Sequence, residues 1–239
     1  CVDAQTASGS SLPPNFHWGV YFVGYFPYAE GPSFIQYHRD AGGWEAVNTV
    51  YDDYPATSAE IIRPETYGTD AYGDATVHDR TAGGWERVRI QNGSDAATVG
   101  RAGLASMFAY TAYAGDPPGV IGRNEFRTAD VDASQPYAYN VSYTEGWYAD
   151  RLHAYKRGEQ TAYVWNVTFN DADNATAFLD GYELVAAHWE GTQYADTDDG
   201  SVWTFDDRRF DGAVRIDRDG NAVTVGKAPS TRALGSVYT

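Results

Sequence analysis

The sequence predicts an α+β fold, with a helical first half and an antiparallel sheet with packed helices in the second half. Three observations predict it. Apolar residues recur at helical spacing through Ser33 to Tyr51 and through Val99 to Ala114. From Arg151 the period changes to the alternation of strands rich in Tyr, Val and Trp. Turn-forming residues then punctuate those strands, and helices packed to one side of such a sheet complete the class.

The elements follow in order. Residues 1–15 read as a flexible Ser/Thr/Gly-rich tether ending in Pro13-Pro14. Phe16 to Phe34 is dense in aromatics and is expected to be broken by Pro27 and Pro32. Ser33 to Tyr51 is predicted to be helical and split in two at Gly42-Gly43, a tight turn expected to bring Trp44 against the core, worth about 3 kcal/mol. Thr57-Ser58 before Ala59-Glu60-Ile61-Ile62 reads as a capped short helix ended by Pro64, with Tyr67 packing behind it. Val99 to Ala114 is the clearest helix, stopped by Gly115-Asp116-Pro117-Pro118-Gly119.

In the second half, Arg151 to Lys156 and Thr161 to Phe169 form a hairpin around Arg157-Gly158-Glu159-Gln160. Asp150 and Arg151 are expected to pair at its start, an exposed contact worth only about 0–1 kcal/mol. Asn170 or Asp171 caps a helix with Ala175, Phe178, Leu179, Tyr182, Leu184 and Val185 on one side. Strands follow at Val202 to Phe205, Gly212 to Asp217 and Ala222 to Val225, with Asp219-Gly220 as the last turn. Pro229 opens a terminal helix carrying Leu234 and Val237. Residues 16–125 thus form a mainly helical portion and 126–239 an antiparallel α+β portion, expected to make one continuous domain. Ala41-Gly42-Gly43-Trp44 and Ala82-Gly83-Gly84-Trp85 nearly match, but their flanks predict helix after the first and strand around the second, so no repeat array is read.

The composition narrows the function classes. The chain has 239 residues, 43% of them hydrophobic, and a formal net charge of −16. No apolar run approaches the roughly 18 residues of a membrane helix. The acidity argues against a nucleic-acid partner. Lysine occurs only at Lys156 and Lys227, and aspartates cluster at Asp52-Asp53, Asp198-Asp199 and Asp206-Asp207. Such a surface repels itself in dilute buffer, whereas molar salt cuts the Debye length to about 3 Å. A halophilic source is expected. Four sequons, Asn92-Gly-Ser94, Asn140-Val-Ser142, Asn166-Val-Thr168 and Asn174-Ala-Thr176, predict an extracellular chain carrying N-linked glycans. Asn92, in a polar loop, is expected to be accessible, whereas Asn166 lies inside a strand and is either shielded or outward-facing.

Cys1 has no partner in the chain. It reads as a lipidated mature terminus or as a cysteine paired with an upstream or separate chain. No leader opens the sequence, so the numbering is expected to start after processing or truncation. The five histidines, His17, His38, His78, His153 and His188, show no ligand spacing. There is no HExxH helix, CxxC pair, G-x-S-x-G elbow or phosphate loop. Asp196-Thr197-Asp198-Asp199-Gly200 places its glycine one position too early for an EF-hand and reads as a solvated hairpin tip. No catalytic, cofactor-binding or metal-binding residue is therefore assigned.

Some blocks resemble a family. Phe26-Pro27-Tyr28-Ala29-Glu30-Gly31-Pro32-Ser33-Phe34, Gly42-Gly43-Trp44, and the stretch from Tyr54-Pro55 through Ile61-Ile62-Arg63-Pro64-Glu65-Thr66-Tyr67 are similar to a signature of secreted zinc-metallopeptidase-like proteins and their haloarchaeal surface-glycoprotein relatives. Gly146-Trp147-Tyr148-Ala149-Asp150-Arg151 and the strand Tyr163-Val164-Trp165 leading to the acidic start of a helix are similar to later blocks. Ala59 and Arg63 depart from the pattern. The resemblance implies an HExxH segment upstream of these blocks, with zinc bound only where that segment is present, and gives Cys1 a reason to tie this chain to it. Two function classes follow. One is a structural or interaction role at the cell surface, with other surface proteins or a second copy as partners. The other is the C-terminal portion of a zinc metallopeptidase whose HExxH helix lies on a missing or separate chain. Sugar binding by exposed aromatics is a third reading, from composition.

Overall fold

The computed structural model describes residues 16–69, 71–78, 82–89, 96–114, 118–128, 136–206 and 210–238. Cys1, Asn92 and the tether lie outside the described residues. The observed class is α+β, as the change of period predicts. By contact the chain divides into two compact units, each drawn from two stretches: 1–69 with 101–142, and 70–100 with 143–239.

The first unit is helical. Helix α1 runs Trp18–Asp52, α2 Ser58–Ile62, α3 Gly100–Ala114 and α4 Arg123–Phe126. His17 caps α1, its Nδ1 accepting from the Val20 N–H at 3.3 Å. The helix does not break at Pro27 and Pro32, contrary to expectation. Each proline removes one i to i−4 hydrogen bond, and the residues whose carbonyls are released, Val23 and Tyr28, are 51% and 69% exposed, so solvent can donate to those carbonyls in place of the missing N–H. The kink falls at Gly42-Gly43, where Gly43 has φ 67° and ψ −159°. Beyond it Val47 and Val50 turn inward, while Trp44 is 65% exposed with the Arg39 guanidinium 5.9 Å from its ring. The expected burial of Trp44 is thus corrected: the kink aims the valine face, not the tryptophan, at the core.

Thr57 caps α2 in a reciprocal box with Glu60. Tyr67 packs edge-on against Phe34 and His38, and its hydroxyl donates to the Asp53 carbonyl. The core of the unit is aromatic. Phe22 and Phe126 lie 4.8 Å apart, Phe26 and Tyr139 5.1 Å, and Leu104, Ala105, Phe108 and Ala109 of α3 are fully buried.

Among its described residues, the second unit is a seven-stranded antiparallel sheet with two α-helices. The strands are β1 Glu86–Arg87, β2 Trp147–Arg157, β3 Gln160–Phe169, β4 Thr192–Thr197, β5 Gly200–Phe205, β6 Gly212–Asp219 and β7 Ala222–Ala228, in the spatial order β1-β2-β3-β7-β6-β5-β4. Helix α5, Ala172–His188, is capped by Asp171 and carries the chain from β3 to the far edge, from which β4 to β7 return strand by strand until β7 pairs with β3. Helix α6, Thr231–Val237, is capped by Ser230. Gly158 and Gly220 take positive φ of 59° and 58° in the two-residue turns after β2 and β6, so the last turn is Gly220-Asn221, one residue beyond the expected pair.

Three further expectations are corrected. β4 has no counterpart in the sequence reading, because all its residues but Thr197 are exposed and an exposed edge strand needs no apolar alternation. Leu184 is 49% exposed; Ala175, Phe178, Tyr182 and Val185 form the buried stripe of α5. Asp150 does not serve Arg151, since consecutive strand residues face opposite sides. It turns inward and accepts from the N–H groups of Val99 and Gly100, each at 2.7 Å, and from Trp165 Nε1 at 2.9 Å. Among the described residues no helix is long and apolar enough to cross a membrane.

Candidate functional site

The alternation of β3 separates the two faces of the sheet. Tyr163, Trp165 and Phe169 meet α5 through Phe178 and Tyr182. The intervening Ala162 and Val164 face the other way, into a cluster with Trp85, Tyr155, Leu234 and Val237. Small residues at Ala162, Ala213 and Ala228 let α6 settle close to the sheet there. Farther along β3 the same face becomes polar. Asn166 and Thr168 form the floor of an open cleft of about 830 Å³.

Strand register assembles this floor from residues distant in sequence. Asn166 stands opposite Thr224 of β7, and Thr224 opposite Asp217 of β6. Asn166 Nδ2 donates to Thr224 Oγ1 at 3.2 Å, and Thr168 Oγ1 donates to Asn166 Oδ1 at 3.2 Å. The Asp217 carboxylate accepts from Thr197 Oγ1 at 2.6 Å and from Arg215 Nε at 2.5 Å. The Arg215 guanidinium in turn lies 4.8 Å from the centre of the Tyr238 ring.

Tyr238 walls the cleft because position 226 is glycine: a Cβ there would collide with the ring. Its hydroxyl donates to the Thr224 carbonyl at 3.3 Å. Burial, reinforced by the neighbouring Asp217 carboxylate, pushes the phenol well above its ordinary range. Asp74, His78, Asp198, Asp199, Arg218 and Asp219 stand around the cleft. The site thus has a polar, internally bonded floor, one aromatic wall and a predominantly acidic surround. It is equipped to exchange hydrogen bonds with a polar molecule.

The sequon asparagines are not brought together. Asn140 belongs to the first unit; it is exposed, and its Oδ1 accepts from the buried Arg101 at 2.5 Å. Ser142 of that sequon donates from both its N–H and its hydroxyl to Glu125, at 2.8 and 2.7 Å. Asn166 lies on the cleft floor, with the nitrogen that would carry a glycan bonded to Thr224. Asn174 sits in the first turn of α5, its Nδ2 donating to Asp171 at 2.9 Å. The histidines are equally dispersed. His17 caps α1 and His78 borders the cleft, while His153 is buried beside Arg87. His38 lies among Phe34, Tyr37 and Tyr67, where burial holds its imidazole below the usual range. His188 packs edge-on against Trp189. Among the described residues no three His, Cys, Asp or Glu side chains gather as a metal-holding group.

Sequence reasoning missed Arg215, Asp217, Thr224 and Tyr238. Their signal was present as polar residues at alternate positions, Asn166 and Thr168, then Arg215 and Asp217. It acquires meaning only with the strand order, which sets β7 between β3 and β6.

No curated protein and no solved structure matches this chain. Residues 86–238, spanning the described sheet and α3 to α6, match a family described as a domain of unknown function, DUF8575. That match covers more than half of the sequence, and the chain accordingly belongs to the DUF8575 family.

Proposed function

We propose that this chain is an extracellular, salt-adapted surface glycoprotein with a structural or interaction role and without a catalytic site of its own. The observation that carries this reading is where the charge stands. Asp40, Glu45, Asp52 and Asp53 along and just after α1, and Asp198, Asp199 and Asp219 at the hairpin tips, are all exposed, while lysine occupies only two positions in the sequence. Short hydrated carboxylates keep such a surface wet where salt screens their repulsion. N-linked glycan is expected as the covalent attachment, and Asn140 offers an exposed acceptor whose Oδ1, not its Nδ2, is held by Arg101. The partners proposed are other surface proteins, an upstream chain, or a second copy.

The test is the native protein recovered from its source. Protease shaving of intact cells should release peptides of this chain, and the intact mass should exceed the sequence mass by that of glycan. Recovery only from the cell interior, or a disulfide through Cys1 to a chain bearing an HExxH helix, would overturn the reading in favour of a cytosolic protein or a peptidase portion, respectively.

A further inference from the structure

We propose that the cleft on the sheet face beyond α6 binds a neutral carbohydrate, an inference that deepens the interaction role proposed above and rests on it. The argument is one of matched chemistry. Lined by Asn166, Thr168, Thr224 and Asp217, the floor alternates amide, hydroxyl and carboxylate groups, so donors and acceptors lie side by side. A sugar hydroxyl is likewise both donor and acceptor, and can bond to neighbours of either kind. Asp217 is already held by Thr197 and Arg215, and Asn166 by Thr168 and Thr224. The floor is therefore fixed before a ligand arrives, which lowers the ordering cost of binding.

Charge decides among ligand classes. Five carboxylates line the cleft, Asp74, Asp198, Asp199, Asp217 and Asp219, against Arg215 and Arg218. Arg215 is committed to Asp217 and the Tyr238 ring, and Arg218 donates to the Gly220 carbonyl at 2.9 Å. Phosphate and other anions are repelled by this arrangement. Apolar ligands would take from water the donor and acceptor capacity that the floor's internal bonds leave over, at about 1–3 kcal/mol for each group so desolvated. A neutral polyol meets neither penalty. Tyr238 adds an apolar wall, and the volume of about 830 Å³ is in the range of small-molecule sites. Hydrogen bonding to a neutral ligand is also insensitive to ionic screening, which suits a protein working in brine.

The experiment is NMR titration of the uniformly ¹⁵N-labelled full chain in about 3 M NaCl. The probes are neutral hexasaccharides of β-1,4-linked glucose, β-1,4-linked N-acetylglucosamine and α-1,6-linked mannose, with magnesium chloride and a hexalysine peptide alongside. At least one sugar should shift the amides of Asn166, Thr168, Thr224 and Tyr238, with an affinity that changes less than about threefold between 1 and 3 M salt. The exposed variants Asp199→Asn, Asp219→Asn and His78→Ala, combined in one chain, should keep the dispersed spectrum and weaken that affinity by about tenfold. Absence of cleft shifts with every sugar at about 10 mM, shifts confined to other surfaces, or cleft shifts with magnesium or hexalysine only would each overturn the proposal. Cell shaving reads the surface assignment separately, so failure of one is distinguishable from failure of the other.

Discussion

Asp150 turns a local sequence feature into a tertiary anchor. Its carboxylate accepts three hydrogen bonds, from the N–H groups of Val99 and Gly100 and from the Trp165 indole, and the residue is only 5% exposed. Bonds to a charged acceptor are each worth about 1.5–3 kcal/mol, and removing the acceptor strands the Gly100 N–H and the Trp165 indole, both in buried positions. Asp150→Ala is therefore expected to destabilise the chain by about 3–5 kcal/mol, read as a fall in the urea midpoint at fixed high salt. The exposed Asp173→Ala, in the first turn of α5, is expected to change it by less than about 1 kcal/mol, and comparable losses in the two variants would contradict the anchoring role.

At the scale of elements, α1 keeps its course through two prolines because the carbonyls that lose a partner are those of exposed residues. Pro27→Ala restores an amide hydrogen able to reach the Val23 carbonyl. It should raise the stability of the chain by about 1–3 kcal/mol, with a higher midpoint in thermal melts followed by far-UV circular dichroism. An unchanged or lower midpoint would mean that the proline ring itself is required by the packing of Phe22 and Phe26. The prolines also mark the boundary of what sequence could tell. Elements with an inward face declared themselves: the stripe of α5, the length of α3, the alternation of β3 and the Thr57 capping box were legible because burial or capping selects residue types at fixed spacing. β4 escaped because almost nothing in it is buried, and Trp44 misled because a glycine kink sets direction by backbone angles, which residue type does not reveal. The cleft was legible least. Asn166 was noted as a sequon, but its partners Thr224 and Asp217 lie 58 and 51 positions farther on, and only strand order makes them neighbours.

For the whole molecule, the dominant quantity is the net charge of −16. Lowering ionic strength lengthens the Debye screening distance from about 3 Å at 1 M to about 10 Å at 0.1 M, so carboxylates on neighbouring turns and hairpins begin to repel one another. The folded state holds those charges closer together than the unfolded chain does and bears more of the cost. The chain is expected to lose its far-UV signature below about 1 M salt and to regain it on return to brine. A spectrum unchanged in dilute buffer would refute the salt adaptation.

The interleaved course of the chain carries a practical corollary. The DUF8575 match begins at residue 86, whereas the helical unit takes Phe22 and Phe26 from one stretch and Phe126 and Tyr139 from the other. Excising the matched span would strip half of an aromatic core from its counterpart and leave its rings bare to water. The segment that defines membership is thus narrower than the segment that can fold, and expression boundaries are better drawn ahead of His17 than at residue 86.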